Sequence, residues 1–120
     1  MSGYKSLDVY GKSYKAAIAV YEMTRRFPKE EQYAMTDQIR RAAMSIPLNI
    51  AEGYGKKSSQ QEFKRFLRMA AGSSNEVQVL LDFAKDLGYI AQEQYERAKE
   101  TYEEIGRMLA GMLRRMESGI

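Results

Sequence analysis

A proline in the middle of a long helical pattern, Pro47 in the run QIRRAAMSIPLNIAEGYGKK (38–57), constrains this chain more than any other feature. Proline inside a helix removes one backbone hydrogen bond and pushes on the preceding turn, at a cost of roughly 3 kcal/mol. Packing around the bend, or a function that needs the bend, must offset that. The helical reading comes from spacing: Met35, Ile39, Ala43, Ile46 and Ile50 recur at four and three residues and define one apolar side. Gln38, Arg41, Ser45, Asn49 and Glu52 make a polar stripe, and Met44, Leu48 and Ala51 form a second apolar ridge away from the first. A helix in a solitary bundle hides one stripe only. The second ridge therefore implies a second buried surface. Pro47, which frees the Ala43 carbonyl, is read as a packing kink, with a ligand-accepting break as the alternative. Gly53 or Gly55 is expected to close the helix in a left-handed cap.

Three further helices are legible around it. The first is expected to start at Ser6, a capping hydroxyl with Asp8 in the first turn, and to stop at Phe27-Pro28. Leu7, Tyr10, Tyr14, Ala17, Ile18 and Tyr21 form its apolar face, and the tyrosines are read as core packing rather than as platforms for stacked bases. Residues 29–33 make a charged connector. The third helix opens with Ser59-Gln60-Gln61-Glu62, the pattern of a capping box, and its core stripe is Phe63, Phe66, Leu67, Ala70, Ser74, Val77, Leu81 and Ala84. Gly72, Val79 and Phe83 lie on its other side and again point to a second contact surface. Gly88 caps its end, with Tyr89 folding back on Ala84. The fourth helix alternates strictly at three and four through Tyr95, Ala98, Tyr102, Ile105, Leu109, Met112 and Met116, as antiparallel packing at shallow angles requires. Ala91 is a weak start for it, and Gly106 and Gly111 in its interior suggest close backbone approach. The expected fold is all-α, an antiparallel up-down-up-down four-helix bundle in one domain spanning residues 1–120.

Absent residue types exclude much chemistry. The 120 residues contain neither cysteine nor histidine. Thiol chemistry, Ser-His and Cys-His nucleophiles and most zinc or iron sites fall away, including the Glu-x-x-His pairs of di-iron bundles. Gly53-Tyr54-Gly55-Lys56 lacks the pattern of a phosphate-binding loop. Glu52 and Glu76 are read as hydrogen-bonded structural acids. The expectation is a protein that is not an enzyme and needs no cofactor or metal. No apolar run approaches the ~20 residues of a membrane span, and the first residues do not resemble a signal peptide, so a cytoplasmic location is expected.

The net charge of +3 conceals an asymmetry. Residues 40–68 hold seven basic side chains against two acidic ones, and residues 76–104 hold eight acidic against three basic. Arg40, Arg41, Lys56, Lys57, Lys64, Arg65 and Arg68 are the candidate contacts to RNA or DNA, because cations on one rim suit phosphate oxygens without reading sequence. A solvated face, or salt bridges between subunits, is the competing use of the same charges. Met44, Leu48, Ala51, Val79 and Phe83 are the candidate oligomer interface. A scaffold holding a foreign partner on those side chains, with no nucleic-acid role, is the second functional reading.

The run QIRRAAMSIPLNIAEGYGKKS, preceded by RFPKEEQYAMT and followed by EFKRFLRMAAGSSNEV and KDLGYI, resembles the small four-helix-bundle proteins encoded in intervening sequences of bacterial large-subunit ribosomal RNA genes, also labelled S23 ribosomal protein-like. The core of the likeness is S-I-P-x-N-I-A-E-G, here Ser45 to Gly53. The resemblance implies a homopentameric barrel. It also implies similarity in fold to the accessory variability determinant of diversity-generating retroelements, which binds nucleic acid and a reverse transcriptase through a positively charged surface. Asn49 and Glu52 match the motif, and the resemblance brings no ligand for them.

Overall fold

The computed structural model describes residues 3–117. Its four helices are α1 (Asp8–Thr24), α2 (Met35–Gly55), α3 (Gln60–Asp86) and α4 (Gln92–Glu117), with single 3-10 turns at Tyr4–Ser6 and Lys29–Glu31. Cross-helix pairs give the topology directly. Tyr21 meets Met44 and Thr24 meets Arg40; Gln38 meets Glu76 and Ser45 meets Ser73; Asp82 meets Lys99 and Arg68 meets Glu117. In each set, numbers rise along one helix as they fall along its neighbour, so consecutive helices are antiparallel. The body measures 45 × 24 × 22 Å, about the length expected of a 27-residue helix at 1.5 Å per residue.

The core follows the expected stripes on α2, α3 and α4. Ile39, Ala43, Ile46, Ile50, Leu67, Ala70, Val77, Leu81, Ala84, Ile105 and Leu109 are fully buried. Pro47 is buried within α2, which continues unbroken through it, and its ring packs as part of the helix side facing α1. Helix α1 departs from expectation. Its buried residues are Val9, Ser13, Ala16, Ala17, Val20 and Thr24, whereas Tyr14 and Ile18 are exposed. The small side chains point inward and the tyrosine stripe points out and sideways. Short inward residues let the α1 backbone approach the bundle, at the expense of exposing larger apolar ones.

Helix ends also differ in detail. Ser6 does not cap α1: its hydroxyl donates to the Gly3 carbonyl inside the first 3-10 turn, and Leu7 holds the cap position without a side-chain bond. Ser59 accepts from the Glu62 N–H at 3.2 Å, as expected, but the Glu62 carboxylate turns to Arg65 and does not complete the box. The weak start at Ala91 is repaired by Gln94, whose side-chain carbonyl accepts the Ala91 N–H at 3.1 Å. Gly88, at φ 80°, ends α3, with the Tyr89 N–H reaching the Ala84 carbonyl at 2.8 Å. Neither Gly53 nor Gly55 adopts a left-handed conformation. Gly53 instead marks the close approach of α2 to α3: a Cβ there would lie 2.8 Å from Phe66 Cβ. Gly106 faces open space and a Cβ at Gly111 would meet only the side chains of Arg114 and Arg115, so the close backbone contact is not on α4.

Candidate nucleic-acid interface and assembly surfaces

Chain polarity brings four segments to one end of the bundle. The α2–α3 connection and the start of α3 meet the last turns of α4, through Gln60 Nε2 donating to the Met116 carbonyl at 3.0 Å and Arg68 pairing with Glu117 at 3.2 Å. The Tyr4–Ser6 turn packs against α2 at the same end. Lys56, Lys57, Lys64, Arg65 and Arg68 therefore share this end, and α4 adds Arg114 and Arg115 while the N-terminal turn adds Lys5. Among the described residues these eight cations stand against four carboxylates, those of Asp8, Glu52, Glu62 and Glu117. The basic middle and the acidic segment that follows it are not the whole of the charge pattern. Residues 105–116 hold three arginines and no acid, and only the antiparallel pairing of α3 with α4 shows that Arg114 and Arg115 join the group.

Partners divide the cluster. Arg65 bridges to Glu62 at 3.2 Å and lies 4.6 Å over the Phe66 ring. Its guanidinium holds the Glu62 carboxyl below the ordinary value, chiefly through that hydrogen bond. Both this pair and Arg68–Glu117 are about half exposed, and exposed pairs contribute little and are screened by salt. Lys57 donates to the Tyr54 hydroxyl at 2.9 Å. Among the described residues, Lys56 and Lys64 have no carboxylate at ion-pair distance.

Two of the seven sequence candidates lie elsewhere. Arg40 is used inside the fold: its Nε donates to Thr24 Oγ1 at 2.8 Å and its guanidinium sits 4.5 Å over the Tyr21 ring, tying α2 to α1. Arg41 is exposed but pairs with Asp37 at 2.9 Å, about 22 Å along α2 from Lys56 at 1.5 Å per residue. Of the polar stripe, Ser45 hydrogen-bonds Ser73, Gln38 donates to Glu76 at 3.3 Å, and the Asn49 amide donates to the Ser45 carbonyl at 2.8 Å. Glu76 thus has the structural partner expected of it.

The assembly candidates form two separate patches. Met44, Leu48 and Ala51 line a groove of about 530 Å³ between α1 and α2, together with the outward Tyr14 and Ile18. Leu48 is 62% exposed and Phe83 55%. Val79 and Phe83 of α3, with Leu87 just past its end, form an apolar strip away from that groove. The tyrosine stripe was the missed signal here, since its period fits the outer face as well as the inner one.

At the opposite end, Asp82 accepts from Lys99 Nζ at 2.6 Å and from the Tyr95 hydroxyl at 2.7 Å. The Lys99 bond first, and the Tyr95 bond second, hold the Asp82 carboxyl below its ordinary value against the effect of burial. A depressed carboxylate contributes stability above its unfolded value, near pH 4, which is lost as the pH falls through the folded value. Asp82→Asn is therefore expected to flatten the loss of stability between pH 5 and pH 3, by a modest amount because the pair is partly exposed; urea midpoints at both pH values measure it. Tyr102 is a different case. It is wholly buried, its hydroxyl has no hydrogen-bond partner among the described residues, and burial pushes the phenol far up.

Among the described residues no helix is long and apolar enough to cross a membrane. No curated protein matches the sequence. Among solved structures, a protein of unknown function from the S23 ribosomal protein family of Bacteroides thetaiotaomicron VPI-5482 is similar, with a TM-score of 0.80 at 28% identity over 88% of this chain and 95% of that one. The model of the 23S rRNA-intervening sequence proteins matches residues 5–111, nearly the whole bundle. The chain belongs to the 23S rRNA-intervening sequence protein family.

Proposed function

We propose that the protein is a cytoplasmic, non-enzymatic module that assembles with its own copies and binds RNA or DNA through phosphate contacts at the basic end of the bundle. The observation that carries this reading is the meeting, among the described residues, of eight cations with four carboxylates around the α2–α3 connection and the last turns of α4. Lys56, Lys57 and Lys64 supply point charges, and Arg65 and Arg68 exchange weak exposed pairs for phosphate oxygens. Affinity of this kind comes from counterion release and does not discriminate sequence.

Assembly supplies the multiplication. The α1–α2 groove and the α3 strip are different surfaces, and a patch that fits a different patch on the next copy gives head-to-tail association, which closes into a ring when the rotation allows. The homopentamer implied by the family resemblance is a ring of this type. Each copy then presents its basic end, and phosphate contacts add along one rim.

The second reading is an accessory scaffold, for a reverse transcriptase or another protein, in which the same apolar surfaces hold a foreign partner. The Glu62 and Glu117 pairs favour it, because they already neutralise two of the arginines. Salt-titrated binding separates the two. With a labelled RNA hairpin and a single-stranded DNA, log K against log salt is expected to fall by about 0.7–0.9 for each phosphate contacted. A flat line, or no binding at low salt, leaves the scaffold.

A further inference from the structure

The side of the bundle between α1 and α4 carries an open groove of about 830 Å³ that is not part of the basic end and shares only Glu22 and Arg25 with the α1–α2 groove. Its α1 wall is Ala16, Ala19, Val20 and Met23, and its α4 wall is Ala98 with the polar Gln94 and Thr101, over the buried Tyr102. The groove exists because α1 turns alanines toward α4, and alanines cannot fill the space between two helix backbones. Its charges are not spread evenly. Arg25, Arg26 and Arg97 gather at the end nearest the α1–α2 and α3–α4 connections, with Glu22 as the one carboxylate in the lining. Arg97 is paired with Glu93 and Arg25 with Glu22, both in exposed pairs that a better anion displaces at little cost.

A site that is cationic at one end and apolar along its α1 wall matches a ligand with one anionic head and one hydrocarbon tail. We propose that this groove binds a single-chain amphiphilic anion of the aliphatic carboxylate class. The head lies at Arg26 and Arg97, where charge-assisted hydrogen bonds to guanidinium are strong and orienting. The tail runs along α1 toward Ala16, a path of about 15 Å at 1.5 Å per residue, and removes its own surface and that of the exposed Ala19 and half-buried Met23 and Ala98 from water. The inference stands apart from nucleic-acid binding, because none of the basic-end residues lines this groove.

Dodecanoate below its micellar range is the probe, titrated calorimetrically into the full chain, with dodecyltrimethylammonium as the same tail carrying the opposite charge. Dodecanoate is expected to bind once per chain and at least ~10-fold more tightly than the ammonium, the difference one good charge-assisted contact supplies. Arg26→Glu with Arg97→Glu should remove that preference. Ala19→Phe, at an exposed position of the groove wall, should abolish binding of both, while Leu48→Glu in the other groove should change neither. Thermal melting confirms that each variant folds, and Arg26→Gln with Arg97→Gln replaces the double reversal if it does not. Equal affinity for the two head groups, undiminished binding to Ala19→Phe, loss on Leu48→Glu, or no binding up to about 1 mM would each overturn the proposal.

Discussion

Reversing Lys56, Lys57 and Arg65 to glutamate together is expected to lower nucleic-acid affinity at ~0.1 M salt by about 100-fold or more, alike for all sequences tested. The three residues straddle the α2–α3 connection, and two of them are lysines with no carboxylate partner among the described residues. Removing about three phosphate contacts should also flatten the salt dependence by roughly 2–3 units of slope. The fold should tolerate the change. Lys56 and Lys57 are exposed, and Arg65→Glu exchanges a solvent-screened surface pair for an equally screened i,i+3 repulsion with Glu62. Anisotropy titrations of wild type and variant at two or three salt concentrations measure both effects. Retained affinity would remove these residues from the account, and a loss confined to one sequence would mean base recognition rather than phosphate contact.

The second large effect is structural. Gly53→Val should destabilise the protein by about 3 kcal/mol or more, the upper range for overpacking, and lower Tm by roughly 10 °C or more. A Cβ at this position lies 2.8 Å from Phe66 Cβ and 3.1 Å from Phe63 Cδ1. Phe66 Cβ is fixed to its own helix, so only a shift of α2 against α3 relieves the clash. Gly106→Ala is the contrasting case. There the added methyl meets nothing within 4 Å, and the better helix propensity of alanine should stabilise by up to ~1 kcal/mol. Thermal melts of the two variants beside wild type decide the matter, and a neutral Gly53→Val would contradict the observed approach of the two helices.

These two glycines show why part of the structure was legible and part was not. Spacing alone locates glycines inside helices but does not say which of them faces a backbone, so the suspicion fell on Gly106 and Gly111 instead of Gly53. Helix α4 was readable because its apolar residues recur on one side only, with charges on the other. Helix α1 was not, because it has two usable sides. The Tyr10–Tyr14–Ile18–Tyr21 stripe is the more hydrophobic, yet the Val9–Ser13–Ala16–Val20 side is the one the bundle buries, since small residues permit the closer approach. Arg40 was counted with the basic group for a similar reason. Its charge is visible in the sequence, while Thr24 and Tyr21, which engage it, are brought near only by the antiparallel return of α2. The outward positions of Leu48, Val79 and Phe83, by contrast, followed correctly from the phase of each helix.

What most of the account requires is that copies of the chain cover one another's exposed apolar surface and so multiply the cationic end. Sedimentation equilibrium of the wild-type protein, with Leu48→Glu/Phe83→Glu run beside it, tests this directly. A closed species of several times 13.8 kDa is expected for wild type and single folded chains for the double variant. A wild-type mass of one chain across the concentration range would contradict it.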